Sequence, residues 1–550
     1  MADDTTRYLC AASYLDPAYS RRAITEFLVE PTRPVPPSPG LDAGRVLTEA
    51  VRARARRKNY DGLLVLLMAV VIGLLWDNPL LYGWIVLSLL LVAARAGKSA
   101  YALEKINPKT LVVLGVSIVV AWLLLSYSDE IFESGSRYPS RYDVDDYYED
   151  SSGGDTARTV IGIVLAVVVC VAVTIERWTL WNLLTTRFKR FAGTGDGGGS
   201  LTGVFTEDFR DQLARYQGDA TSAEAPGAPL VVYRGYNPFV GAGFRRDAWS
   251  MAIPLERLED GEGRPKLTTE ALYDGIRTAI ADLRNAHALS PDHRLGGLTV
   301  TEAVFTPAAE LVDHLGEPEA AAYLPDVERP PHTRLGAADV ARLRTEPREW
   351  ARYYLAFQVE TWDRDLVLTT FLHVAVDDTT LYVEWTPFML PPIRAEYRVV
   401  DKMRPDSLRP LGQGLLAWLA MPASLPGRIV NLASWIRRPK REPGVLDPDR
   451  YGAASTLREL ASVNLFTDYF QLVDIERYEK ILESRLLPAI GKLLGDAGFS
   501  TAKFEEQAAV VINNDITIRG DNRGPITQAG LRTPRPRPAA PGRPTRTETR

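Results

Sequence analysis

"LVLTTFLHVAVDDTTLYVEWTPF" runs from Leu366 to Phe388. β-Branched and aromatic residues fill both halves, and Asp377-Asp378 between them reads as the turn of a β-hairpin. Working outward, "PLVVYRGYNPF" (Pro229–Phe239), "LTVTEAVF" (Leu298–Phe305), "YYLAFQVETW" (Tyr353–Trp362) and "AEYRVV" (Ala395–Val400) have the same character and are expected to be strands. "LTTEALYDGIRTAIADLRNA" (Leu267–Ala286) and "TDYFQLVDIERYEKILESRLLPAIGKLLGDAG" (Thr467–Gly498) instead carry apolar residues at helical spacing. Strands and helices do not alternate strictly, so residues 201–508 are expected to form an α+β domain.

The N-terminal third has another composition. Four uncharged apolar runs lie at Gly62–Trp76, Leu80–Ala94, Leu111–Ser126 and Thr159–Ile175. With flanking aromatic residues each approaches the ~20 residues that cross a bilayer. The expected fold class is therefore an α-helical membrane protein with four transmembrane helices, a cytoplasmic α+β domain and a disordered C-terminal tail. The first two runs, separated by "DNP", fit either two crossings or one re-entrant hairpin. Two crossings are favoured, because irregular backbone is not tolerated in contact with lipid.

Basic residues precede the first run ("VRARARRK"), lie between the second and third, and follow the fourth, whereas Tyr127–Arg158 is acidic. The positive-inside rule then gives a multi-pass protein of the plasma membrane with both termini cytoplasmic. The expected divisions are a helical N-terminal region at 1–58 and a transmembrane region at 59–176 with an acidic external loop at 127–158. An interfacial helix and Gly-rich linker occupy 177–200, the α+β domain 201–508, a β segment 509–530 and a Pro/Arg-rich tail 531–550.

Several chemistries are disfavoured. The chain has two cysteines, Cys10 and Cys170, and five scattered histidines, with neither CxxC nor HExxH, so no metal and no cofactor is expected. "DVDDYYED" lacks the glycine of an EF-hand loop. "YRGYNPFVGAGF" has neither GxGxxG nor a Walker lysine and reads as a glycine turn. His373 reads as a packed strand histidine, and Asp377/Asp378 as turn residues. No acidic or basic side chain interrupts the apolar runs, which argues against ion-coupled transport. No reaction is assigned, no catalytic residue is named, and the domain is not basic enough to suggest nucleic acid.

The expected partner is the lipid bilayer. "ERWTLWNLLTTRFKRF" places Trp178 and Trp181 at its surface. "LGQGLLAWLAMPASLPGRIVNLASWIRRPKRE" (Leu411–Glu442) is apolar, is broken at Pro422 and Pro426, and ends in a basic cluster. It fits the headgroup region, with Trp418 and Trp435 as anchors and Arg437, Arg438, Lys440 and Arg441 on anionic lipid. It fits equally a helical hairpin packed on its own domain.

"INNDITIRGDNRGPITQAG" (Ile512–Gly530) alternates β-branched and polar residues and breaks at glycines. Such a hairpin is marginal alone but stable when stacked with copies from other chains. The segment resembles the bacterial amyloid signalling motifs related to the RHIM, with a core at Ile516, Thr517, Ile518 and Gly520 and a continuation at Asp521, Asn522, Gly524 and Ile526. That resemblance implies homo- or hetero-assembly and a non-enzymatic membrane signalling or defence effector. The alternative is a membrane-anchored scaffold or binding module that recognises a cytoplasmic partner through its α+β domain; the segment is then a peripheral hairpin or part of a disordered end. "YLCAASYLD" and "PSPGLD" in the first 190 residues also resemble uncharacterised multi-pass membrane proteins of actinobacteria, a likeness that implies no activity.

Overall fold

A computed structural model of the chain describes residues 4–96 (except 37 and 39), 152–190, 206, 209–218, 227–258, 264–434, 446–463, 466 and 468–517. The helices are α1 (Asp4–Leu15), α2 (Pro17–Phe27), α3 (Ala43–Leu74), α4 (Pro79–Ala96), α5 (Ser152–Arg187) and α6 (Arg210–Gly218), followed by α7 (Thr269–Ala281), α8 (Ala308–Asp313) and α9 (Ala337–Thr345). After the sheet come α10 (Arg409–Leu419), α11 (Met421–Ala433), α12 (Leu457–Ala461), α13 (Tyr469–Asp496) and α14 (Ala502–Thr517).

Eight strands form one mixed sheet: β1 (Ala228–Tyr233), β2 (Phe244–Arg245), β3 (Trp249–Pro254), β4 (Thr299–Pro307), β5 (Arg334–Leu335), β6 (Arg352–Thr361), β7 (Leu366–Val376) and β8 (Thr380–Leu390). Their order is β2-β8-β7-β6-β4-β1-β5, with β3 also paired to β8. Only β1 and β4 run parallel, because α7 and the turns after it carry the chain back across the sheet. The β7–β8 hairpin turns where the sequence predicts. Asp377 Oδ1 accepts the Thr379 and Thr380 N–H groups at 2.7 Å each, so the side chain replaces backbone partners inside the turn.

One sheet face is covered by α7 and α13. In α13, Ile475, Tyr478, Leu482, Leu486 and Ile490 recur every three or four residues and are buried against Leu355, Phe357, Leu368, Leu372 and Trp385. Asp468 caps its start by accepting the Phe470 N–H, and Gly498 at φ +82° turns the chain after its end. The opposite face carries an aromatic layer of Phe239, Phe305, Tyr354, Phe371 and Phe388. "AEYRVV", expected as a strand, lies in a 3-10 turn, Ala395–Lys402. Its Tyr397 and Val400 point into a second core with Leu9, Cys10, Ile24, Phe27, Val46 and Leu47 of the N-terminal helices, so period-two alternation lost to helical packing.

The four-span expectation is overturned. Among the described residues one helix, Thr156–Arg187, is long and apolar enough to cross a membrane, or two such spans exist if the bent pair α10–α11 counts as one. The first run is only the distal half of α3, whose proximal half is capped by Asp42 and packed into the N-terminal core. The second forms a shorter apolar helix, Pro79–Ala93. The third run and residues 127–151 of the acidic loop lie outside the described residues, while 152–158 are already helical in α5. Counting runs treated each as an isolated crossing. Runs one, two and four instead pack together with α10 and α11, inside a chain that also holds a large mixed sheet.

Candidate membrane-facing site

The distal half of α3, with α4, α5, α10 and α11, makes a helical cluster beside the sheet domain. Its core is small: Leu64, Met68, Val71, Leu75, Leu81, Val169, Val173 and Met421. Its outside is apolar as well. Leu66 is 64% exposed, Leu90 61%, Val86 56%, Val164 56% and Val430 66%, and Leu63, Val70, Leu89, Ile161, Val167, Val171 and Ile175 are also exposed. Isolated exposed apolar side chains are ordinary, but a contiguous belt of them marks an interaction surface.

Polar contacts bound the belt at both ends. At one end the Tyr60 hydroxyl lies 3.4 Å from Thr179 Oγ1, and Arg56 donates to Thr179 Oγ1 at 2.6 Å and to the Glu176 carbonyl at 3.3 Å. At the other, Asn78 Nδ2 donates to Thr159 Oγ1 at 3.3 Å. From Thr159 to Thr179 is about 30 Å of α5, close to the ~30 Å hydrocarbon core of a bilayer, and from Tyr60 to the end of α3 at Leu74 is roughly 21 Å, with Asn78 a short turn beyond.

Glycines allow close helix contacts within the cluster. A Cβ on Gly162 would stand 2.6 Å from Leu75, and one on Gly414 2.6 Å from Thr174 Oγ1 and 2.8 Å from Thr174 Cα. Trp84 Nε1 donates to the Leu419 carbonyl at 3.2 Å, Trp418 Nε1 to the Ala166 carbonyl at 2.9 Å, and the two indoles lie 5.2 Å apart. At the base of α11, Arg428 pairs with Asp61 and reaches Glu176 at 3.7 Å. Asn431 Nδ2 donates to Asp61 Oδ2 at 2.6 Å. Lys58 Nζ donates to the carbonyls of Leu432 (3.3 Å) and Ser434 (2.9 Å), where a cation complements the C-terminal end of the helix.

The expected membrane-surface residues part company here. Trp178 is exposed on α5. Trp181 turns inward and donates to the Arg404 carbonyl at 2.9 Å. Trp418, expected at the headgroups, is inside the cluster against Ala166. Trp435, Arg437, Arg438, Lys440 and Arg441 lie outside the described residues. Asp61, Glu176, Arg428 and Asn431 were missed. The available signal was Arg428 itself, one charge inside the apolar "LPGRIVNLA", with Asp61 and Glu176 each adjoining an apolar run.

A second polar hub joins this cluster to the sheet domain. Asp401 accepts Arg7 NH1 at 2.7 Å, Arg7 NH2 at 3.2 Å, the Tyr8 hydroxyl at 2.6 Å and the Arg190 N–H at 2.9 Å. Burial alone would raise its pKa, but these hydrogen bonds prevail and lower it to about 2. Asp16 accepts the Tyr397 hydroxyl at 2.6 Å nearby. One half-buried carboxylate thus ties together α1, the end of α5 and the domain that follows.

Elsewhere the polar groups serve the fold. In the glycine loop before β2, the Gly241 and Gly243 N–H groups donate to Glu459 Oε1 at 2.9 and 3.1 Å. Burial pushes this carboxyl up despite those bonds. These loop amides therefore hold the protein's own side chain. His373 Nδ1 lies 3.1 Å from the Tyr353 carbonyl, in packed surroundings between Tyr354 and Tyr382. A cleft lined by Tyr323, Arg342, Arg348 and Trp350 holds about 30 Å³, too little for a substrate. At the C-terminal motif, α14 takes in Ile516 and Thr517, where the pattern predicts a strand. Phe504 and Ala508 anchor that helix to the sheet core, and it continues into the motif. Ile518, Gly520, Asp521, Asn522, Gly524 and Ile526 lie outside the described residues.

Residues 248–526, just over half of the chain, match the AbeC-like domain family, and the chain belongs to that family. The matched span holds most of the sheet, the bent pair α10–α11 and the residues of the C-terminal motif. No curated protein and no solved structure matches the chain.

Proposed function

We propose that the chain is an integral membrane protein that holds its AbeC-like domain against the bilayer, as a membrane-anchored, non-catalytic scaffold or binding module. The observation that carries this reading is the exposed apolar belt, bounded by polar contacts separated by the thickness of a hydrocarbon core. Water would oppose such a surface at about 25 cal/mol per Å²; lipid would not. The basic segment Arg52–Lys58 and the Arg187–Arg190 end of α5 lie at the same end as the sheet domain, which supports a cytoplasmic position for that domain under the positive-inside rule. The scaffold reading is preferred to templated signalling because α14 is helical through Thr517, where the motif calls for a strand.

The test is fractionation of the full chain expressed in bacteria. The protein should stay in the membrane pellet through alkaline carbonate and urea washes and leave it only with detergent. Recovery as a monodisperse species in detergent-free buffer would overturn the reading.

A further inference from the structure

We propose that α10 and α11 form a re-entrant hairpin that the AbeC-like domain sends into the bilayer. It turns near the midplane and leaves on the side from which it entered, with lipid acyl chains against its outer face. The proposal rests on the membrane reading above and adds to it a path for this segment.

The path follows from the contacts. The chain approaches with the Arg404 carbonyl held by Trp181, near the polar end of α5. It runs along α5 with Gly414 against Thr174 and Trp418 at Ala166. Ala166 is about ten residues from Glu176, roughly 15 Å of helix, or half the hydrocarbon thickness. It is some seven residues short of Thr159, at the far polar boundary. There the axis bends by 87° between Leu419 and Met421. α11 then returns along α3: Arg428 meets Asp61 and Glu176, and the Ser434 carbonyl meets Lys58. Both ends are therefore tied to groups on the same polar boundary.

The break is fitted for an apolar medium. Irregular backbone at membrane depth must have its polar groups satisfied within the protein. The Leu419 carbonyl accepts Trp84 Nε1, the Ala420 N–H donates to the Leu416 carbonyl at 3.2 Å, and the Met421 carbonyl accepts Ser424 Oγ at 2.9 Å. Pro422 sits in the first turn of α11, where its missing N–H has no helical partner to lose. Met421 is fully buried in the cluster core, while Leu411, Ile429 and Val430 face outward.

The experiment uses the full chain with Cys10→Ala and Cys170→Ala, reconstituted in phosphatidylcholine–phosphatidylglycerol vesicles. Single cysteines at Ala423, Val168 and Leu408 carry a nitroxide, read by its accessibility to oxygen and to a water-soluble nickel chelate. The label at Ala423 should be oxygen-accessible and nickel-protected like that at Val168, and the label at Leu408 nickel-accessible. Nickel access at Ala423 with protection at Val168 would overturn the hairpin and leave the anchor standing. Nickel access at both would overturn the membrane reading itself. In oriented vesicles, cysteines at Leu408 and Leu446 should react with an impermeant maleimide from one side only. Reaction from opposite sides would make the pair a span and overturn the proposal.

Discussion

The sheet domain and the helical cluster beside it are both rich in apolar side chains, and they dispose of them in opposite ways. The sheet buries both faces, one under α7 and α13 and the other under an aromatic layer. The cluster buries one narrow seam and leaves many apolar side chains on α3, α4, α5 and α11 exposed. Successive residues of a strand point to opposite faces, so a sheet covered on both sides hides nearly all of them, whereas a helix hydrophobic all round needs an apolar environment on every side. The contrast teaches that exposure has no fixed energetic meaning. Leu289, 47% exposed on the sheet domain, and Val168, 43% exposed on α5, have similar accessibility, yet under the membrane reading proposed above they would face different media.

The largest effect expected lies in the sheet. Phe357 is fully buried, with its ring 5.8 Å from Trp385. Phe357→Ala should cost about 3–5 kcal/mol, a large share of a domain's stability. Thermal melts of the detergent-solubilised protein, followed by near-UV circular dichroism, should show the sheet domain melting earlier while the variant still partitions to membranes. Loss from membranes on this substitution would mean that the two regions do not hold separately. Next comes the comparison of equal exposures. Val168→Arg should cost about 2.5–3.5 kcal/mol of insertion and deplete the membrane fraction. Leu289→Arg should stay within about 0.5 kcal/mol of the parent. Equal behaviour of the two variants would erase the distinction between the surfaces.

The same contrast explains what the sequence made legible. β-Branched and aromatic composition located β1, β4, β6, β7 and β8, which lie in a sheet buried on both faces, and helical periodicity located α7 and α13, each of which hides one face against that sheet. "AEYRVV" misled because a short β-branched stretch is compatible with either state, and Tyr397 and Val400 were claimed by the N-terminal helices, which lie nearly four hundred residues away in sequence. The apolar runs were visible but their number of crossings was not, since run length says nothing of what packs beside it. The stretch from Leu411 stood out as too broken to span. Its prolines and tryptophans suggested a surface helix, whereas Trp418 satisfies a backbone carbonyl of α5. The base of the site was hidden for the same reason: Asp61, Glu176 and Arg428 are far apart in sequence and ordinary when read singly.

The smallest expected effect tests the seam between the regions. Asp401 is about a quarter exposed, and its pKa falls from an ordinary 3.8 to about 2 on folding. The folded state thus favours the ionised form, so its contribution is fully present above pH ~4 and is lost as pH falls toward ~2. That shift corresponds to about 2 kcal/mol, reduced to roughly 1–2 kcal/mol by solvent screening. Asp401→Asn should lower stability by that amount at pH 7, leave membrane partitioning unchanged, and remove part of the stability lost by the parent between pH 4 and pH 2. Amide hydrogen exchange gives the sharper reading. If Asp401 fastens the sheet domain to α1 and α5, the substitution should speed exchange in Tyr8–Tyr14 and Tyr397–Asp401 and leave β6–β8 unaffected. Faster exchange throughout the sheet would instead make the hub part of a single cooperative unit, and the division between the two regions would then describe their surroundings and not their folding.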